Sequence, residues 1–217
     1  NYGTMLVSGT ISSNTSNVTI VNESSLTAQN LSLNGANIIN TCKFVVNETA
    51  NLLNSVTINI ASEKLFKSKQ LYMGGGNTIA LDSRAILDVT SELQFQNSQN
   101  LIKGPESGDK ALLRLEAFSI TGWRNPSFSG YLQIESSNYP ENKGATAYTL
   151  PPDSKYVDFV RKGESTIVVP ATDCNGGGNT PRTSNPIPVT YPLDVTLGTT
   201  YTYAFEDNYP QIKDYDM

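Results

Sequence analysis

Four carboxylates crowd the last dozen residues of the chain: Glu206, Asp207, Asp214 and Asp216. The stretch YAFEDNYPQIKDYDM sets them in an aromatic frame, and Asp-Tyr-Asp places two of them two residues apart. Oxygens that alternate along a loop can converge on one hard cation, and calcium takes roughly six to eight such ligands. The EF-hand pattern of alternating Asp, a central Gly and a later Glu is missing. The same spacing therefore also suits a solvated acidic loop.

Other chemistry is restricted by what the chain lacks. It contains no His, which excludes a Ser-His-Asp or Cys-His arrangement and any His-ligated metal. The run MGGGN at Met73–Asn77 lacks the Lys-Ser/Thr of a phosphate-cradling loop, so its glycines are expected to turn the chain tightly. Asp82 and Asp88 with Arg84 form the best carboxylate set for a polysaccharide lyase or hydrolase, but they suit a salt-bridged turn equally well. Tyr72, Trp123, Tyr131 and Tyr139 are candidates for stacking on sugars; Trp123 fits a core or capping role better. The two cysteines, Cys42 and Cys174, make no metal set and are expected as a buried thiol and a loop thiol, without a disulfide.

Composition sets the class. The 217 residues carry 38% apolar and 16% charged residues, with a net charge of −5. That is too few charges for a disordered chain and too few apolar runs for a membrane protein. A negative surface without a basic cluster disfavours nucleic acid. The opening NYGTMLVSG has no basic start before an apolar stretch and is not read as a signal peptide.

The elements that would position these residues are short. TMLVSGTI, NVTIV, SLTA, LSL, NII, KFVV, VTINI, KLF, QLYM, NTIAL, AILDV and LQF follow one another between Asn, Ser and Gly. Helical spacing never persists long enough for a helix. Runs placed at Val18, Phe44, Leu71 and Leu93 lie 26, 27 and 22 residues apart, and Leu31, Val56 and Ile79 lie 25 and 23 apart. A period near 25 with about three strands each predicts a right-handed parallel β-solenoid, an all-β fold with apolar residues turned inward. Its turns would stack Asn side chains in hydrogen-bonded ladders and use Asn for left-handed backbone. An antiparallel β-sandwich is the alternative; it would show longer alternation and earlier prolines. The sequons at Asn14, Asn17, Asn22, Asn30 and Asn47 are read as a by-product of the Asn/Ser/Thr-rich composition.

No Pro precedes Pro105, and nine of the eleven Tyr follow residue 120, so the chain changes character near Gly104. KALLRLEAF has spacing for strand or helix, and strand is favoured. PPDSKYVDFVRKGESTIVVP reads as a segment entering a last strand. ATDCNGGGNTPRTSNPIP, with its glycines and prolines, is the linker candidate. The division expected is a solenoid with its cap over 1–170, a linker over 171–190 and the start of a C-terminal β domain over 191–217.

At this point the tail resembles the opening of the LruC domain of bacterial surface proteins, found in Bacteroidetes and some other bacteria. Phe205, Glu206, Asp207, Tyr209, Pro210, Asp214, Tyr215, Asp216 and Met217 match its pattern, whereas Lys213 stands where Gly is usual. VVPATDCNGGGNTP is similar to the Cys-Asn-Gly-Gly linker that often precedes that domain. The resemblance implies Ca2+ held through the acidic motif, export to the cell surface, and a partner that is a surface glycan or protein. It implies membrane attachment only through a lipid anchor outside these residues. The expected function is a non-enzymatic exported surface module for adhesion or as a stalk. A carbohydrate-binding or carbohydrate-active β-helix protein is the alternative.

In the family an Asn-Asp pair completes the acidic motif, and the resemblance implies that it would come directly after Met217. Calorimetric titration is expected to give a calcium affinity no tighter than ~10⁻⁴–10⁻³ M for the chain ending at Met217, and a far tighter one when Asn-Asp is present. A micromolar site that survives Asp214→Asn and Asp216→Asn contradicts this placement.

Overall fold

A computed structural model describes residues 1–15, 17–96, 99–120, 127–137 and 156–168, with only the backbone described for 117–120 and 127. Every described element is a strand: β1 (Met5–Ser13), β2 (Val18–Asn22), β3 (Ser25–Leu33), β4 (Ala36–Asn40), β5 (Lys43–Asn54), β6 (Thr57–Ile60), β7 (Leu65–Gly75), β8 (Thr78–Leu81), β9 (Ile86–Phe95), β10 (Leu101–Lys103), β11 (Ala111–Ile120), β12 (Ser127–Ser129), β13 (Leu132–Ser136) and β14 (Val157–Arg161). KALLRLEAF lies in a strand, β11, and in the segment read as entering a last strand VDFVR forms β14.

The strands form two sheets. The longer runs β1-β3-β5-β7-β9-β11-β13-β14 and the shorter runs β2-β4-β6-β8-β10-β12. Each strand pairs with the strand one coil further on, and every pairing is parallel. This is a parallel β-solenoid of about six turns; the antiparallel sandwich is excluded.

The long strands carry a recurring irregularity. Register shifts fall between Val7 and Thr10, Ala28 and Leu31, Val46 and Thr49, Ser68 and Gln70, and Leu115 and Ala117. An extra residue bends a strand at that point. Because the shifts align from coil to coil, they divide the long sheet into a first and a second face. The short sheet is the third.

The sequence gives the architecture but not the phase. The true column on the first face is Leu26, Phe44, Phe66, Leu87, Leu113, Ile134 and Phe159, in steps of 18, 22, 21, 26, 21 and 25 residues. Val18 sits on the third face, Phe44 on the first, and Leu71 and Leu93 on the second. Only the last two share a column. Strand positions are conserved between coils, whereas turn lengths are not, and this blurs any fixed period.

Packing follows from parallel stacking. Leu31, Leu33, Phe44, Leu52, Ile58, Phe66, Leu71, Met73, Leu87 and Phe95 are essentially inaccessible to solvent, and each such side chain contributes about 1.5–3 kcal/mol by leaving water. Phe44 and Phe66 lie ring to ring at 5.1 Å. Phe95 and Phe128 meet edge to face at 5.9 Å.

Polar groups buried at the corners are satisfied by two amide ladders. In the first, Asn1 Nδ2 donates to Asn22 Oδ1 at 2.9 Å, and Asn22 Nδ2 donates to Asn40 Oδ1 at 2.8 Å. Asn22 and Asn40 also donate to the Lys43 and Leu65 carbonyls. The second ladder stands at the opposite end of the third face: Asn77 Nδ2 donates to Asn100 Oδ1 at 3.1 Å, and Asn77 Oδ1 accepts from the Val56 amide at 2.9 Å. Beyond Asn40 the first column continues as Ile60 and Leu81, so the apolar side chains take over where the amides stop.

Left-handed backbone falls mostly to other residues. Asn17, Gly35, Ser55 and Gly76, with φ of 77°, 68°, 49° and 65°, occupy the turns that lead into the third face. Asn17 N donates to Gly35 O, Gly35 N to Asn54 O and Ser55 N to Gly75 O, so these turns stack. The Asn34-Gly35 pair is thus a coil corner between β3 and β4, each stacked in parallel within its own sheet. In MGGGN, Gly76 supplies a left-handed turn, while Gly74 lies so close to its neighbour that a Cβ would stand 2.1 Å from Leu53 O.

One expectation is overturned. Cys42, 2% exposed in the turn between β4 and β5, is disulfide-bonded. Cys174, the one other cysteine of the sequence, lies outside the described residues. Spacing along the chain cannot reveal a bond of this kind, because it depends on where a distant segment is brought in space.

Ser68 turns inward in the column of Ala28, Val46 and Val89, fully buried, and its hydroxyl has no hydrogen-bond partner. Replacing it with Ala removes the stranded polar atom and is expected to stabilise the fold by about 1 kcal/mol, or about 2–4 °C in Tm. Gly74→Ala drives a methyl into the Leu53 carbonyl and is expected to destabilise by more than about 2 kcal/mol. Denaturant melts of the two variants should move in opposite directions.

Candidate functional site

In a solenoid the outward side chains stand in columns, so any site must be assembled from equivalent positions of successive coils. The first face carries charge. Lys67, Asp88, Arg114 and Glu135 occupy one outward row in strict succession. Like charges placed opposite each other in a sheet repel. Here the signs alternate, with Lys67 3.3 Å from Asp88 and Arg114 3.1 Å from Glu135. Glu135 is buried and also accepts the Ser165 amide at 3.1 Å, so the segment after β14 lies across this end of the face. Elsewhere Glu48 pairs with Lys69 at 2.7 Å, Glu63 with Arg84 at 3.4 Å, Lys110 with Asp158 at 3.0 Å, and Glu116 with Lys162.

The carboxylate set Asp82, Asp88 and Arg84 is not assembled as a unit. Asp88 is held by Lys67 and Arg84 by Glu63, each partner coming from the preceding coil. Asp82 is exposed at the corner after β8, where its amide bonds to Ile60 O. Among the described residues no three His, Cys, Asp or Glu side chains are grouped to hold a metal, and no helix is long and apolar enough to cross a membrane. The tail carboxylates Glu206, Asp207, Asp214 and Asp216 lie outside the described residues.

The third face is neutral across its first four strands. Its outward pairs are Thr19 and Val21, Asn37 and Ile39, Thr57 and Asn59, and Thr78 and Ala80, without an aromatic ring. The second face differs. Ser32, Asn51, Tyr72 and Gln94 form one outward row, and Thr49, Gln70 and Glu92 form the row beside it. Thr49 Oγ1 donates to Gln70 Oε1 at 3.2 Å, and Gln94 Nε2 donates to Glu92 Oε2 at 2.7 Å. All seven side chains are half-buried.

Of the four aromatics read as sugar platforms, Tyr72 stands in this polar field. Tyr131 packs against Tyr156 with ring centroids 4.9 Å apart, a contact between consecutive coils. Trp123 and Tyr139 lie outside the described residues. The neighbours of Tyr72 escaped the sequence reading, although a signal existed. LSL, ANL, LYM and LQF are apolar-x-apolar triplets whose central residues are Ser32, Asn51, Tyr72 and Gln94, and aligning these triplets gives the row.

The sequons also divide by structure. Asn22 is fully buried within the first ladder, and Asn30 Oδ1 accepts the Thr49 amide at the bend, so both serve the fold. Asn47 is exposed and bonds weakly to Gln29 at 3.5 Å. The chain matches no protein-family model, no curated protein and no solved structure.

Ion pairs of different burial should differ in weight. Glu135→Ala strands the Arg114 guanidinium and the Ser165 amide and is expected to destabilise by about 2–3 kcal/mol. Lys69→Ala breaks an exposed pair and is expected to change stability by less than about 0.5 kcal/mol. Urea titrations of both variants check the ranking.

Proposed function

We propose that the chain is a non-enzymatic, exported bacterial surface module that works by adhesion or as a stalk. The observation that carries this reading is the state of the charged groups. Glu48, Glu63, Asp88 and Glu135 are paired to cations of adjacent coils, and in the set read for acid–base chemistry Asp88 is held by Lys67 and Arg84 by Glu63, while Asp82 stands apart at an exposed corner. Catalysis of glycoside or uronide cleavage requires two groups free to face one bond. A rod of flat, internally bonded faces instead suits binding by area.

Export agrees with the disulfide at Cys42, because disulfides persist in oxidising compartments. The LruC-like tail supports the same location and the link to a further surface domain, with Ca2+ in its acidic motif. The partner is a cell-surface glycan or protein.

Incubation of the full chain with pectin, alginate, glycosaminoglycans and mucin glycans is expected to release no new reducing ends and no unsaturated products. The immobilised chain is expected to retain cells or extracellular matrix. Turnover of any of these polymers overturns the reading.

A further inference from the structure

The three faces are not equivalent as binding surfaces. On the first, the ionic groups are spent on one another, and the segment around Ser165 covers Glu135. The third offers neither charge nor an aromatic ring over β2, β4, β6 and β8. Over six strands about 4.8 Å apart and roughly four residues long, it spans only about 400 Å², small for a specific interface with another protein. The second face combines an aromatic ring, amides, hydroxyls and one carboxylate in two adjoining rows.

We propose that the second face binds a neutral polysaccharide chain laid along the solenoid axis, with Tyr72 as its stacking platform. This inference rests on the reading of the solenoid as a binding module and names its partner class.

The spacing is suited to such a polymer. Successive coils lie about 4.8 Å apart, close to the length of one ring in an extended glycan, so each sugar meets one coil. Going along the row, a sugar on Tyr72 is preceded by one at Asn51 and followed by one at Gln94. A tyrosine ring presents an apolar face to the C–H side of a sugar, and amides both donate to and accept from its hydroxyls. The neighbouring row supplies the Thr49 hydroxyl and the Glu92 carboxylate, which accepts hydrogen bonds from sugar hydroxyls.

These groups are held before a ligand arrives. The bonds from Thr49 to Gln70 and from Gln94 to Glu92 already restrict four rotatable side chains, which lowers the entropy lost on binding. Charge then selects among glycans. Glu92 is the one acidic side chain in the two rows, neither of which holds a Lys or Arg, and the chain carries a net charge of −5. Uronic acids and sulfates are repelled, whereas uncharged sugars are not.

The test is affinity electrophoresis of the full chain through gels containing a mixed-linkage β-glucan, galactomannan or arabinoxylan, beside gels containing pectate, alginate or heparin. At least one neutral polymer should retard the protein and the acidic ones should not. Tyr72→Ala should weaken retardation about tenfold, while Tyr72→Phe, which keeps the ring, should stay within about threefold. Thr57→Ala on the third face should leave it unchanged. Circular dichroism of each variant verifies that the fold is kept; should Tyr72→Ala fail to fold, Gln94→Ala and Asn51→Ala are read in its place and should each weaken retardation. Retardation by acidic polymers as strong as by neutral ones, or unchanged in these variants, overturns the assignment. So does a protein that adheres to cells yet is retarded by none of the neutral polymers, an outcome that leaves the binding-module reading standing. Release of reducing ends overturns that reading itself.

Discussion

Parallel, in-register stacking is the constraint on which the rest of the molecule depends. Each residue of a coil has its counterpart directly above and below, at the separation of neighbouring strands. What a residue meets is therefore set by its equivalents and not by its neighbours in sequence. Phe44 meets Phe66, Asn22 meets Asn40, Lys67 meets Asp88. Apolar columns fill the interior under this rule, and amides complete each other's hydrogen bonds at the corners. In the charged row of the first face, from Lys67 to Glu135, each coil carries the sign opposite to the one before it.

The same rule explains how so few charged residues suffice. An uncharged column can repeat without penalty, whereas an ionic one must alternate along its whole length. The row from Lys67 to Glu135 manages four coils of alternation, and the first four strands of the third face carry no ionic residue outward at all. Solubility then falls to Asn, Thr, Ser and Gln, whose side chains bond along the rod. These bonds have a second consequence, because a face whose side chains are already fixed is a rigid template for a repeating partner.

Left-handed corners show the local side of the same economy. The corner that leads into the third face takes positive φ in four successive coils, at Asn17, Gly35, Ser55 and Gly76, and the corner after that face takes it at Glu63 and Arg84. Gly does so without steric conflict, and Asn tolerates it. Ser55 does so only because the stacked turn holds it, with its amide bonded to Gly75 O. Buried Asn residues, by contrast, serve the ladders. The two tasks that asparagine suits are thus divided among different positions.

The sequence by itself determined that the chain is all-β, built from short strands, and coiled with apolar residues inward. Alternation in KFVV, VTINI and QLYM is a local property, as is the absence of helical spacing, so both are legible without a structure. It also determined which chemistry is absent, since a chain without His cannot supply it. Only the tertiary structure decided the phase of the coils, because turns of unequal length displace equivalent strands by 18 to 26 residues. It alone separated Asp88 and Arg84 into different ion pairs, placed Tyr131 against Tyr156, and gave Tyr72 its row of Asn51 and Gln94. The bond at Cys42 belongs with these. Each is a contact between residues about one coil or more apart in the chain, and no local pattern encodes which distant residue comes to lie alongside.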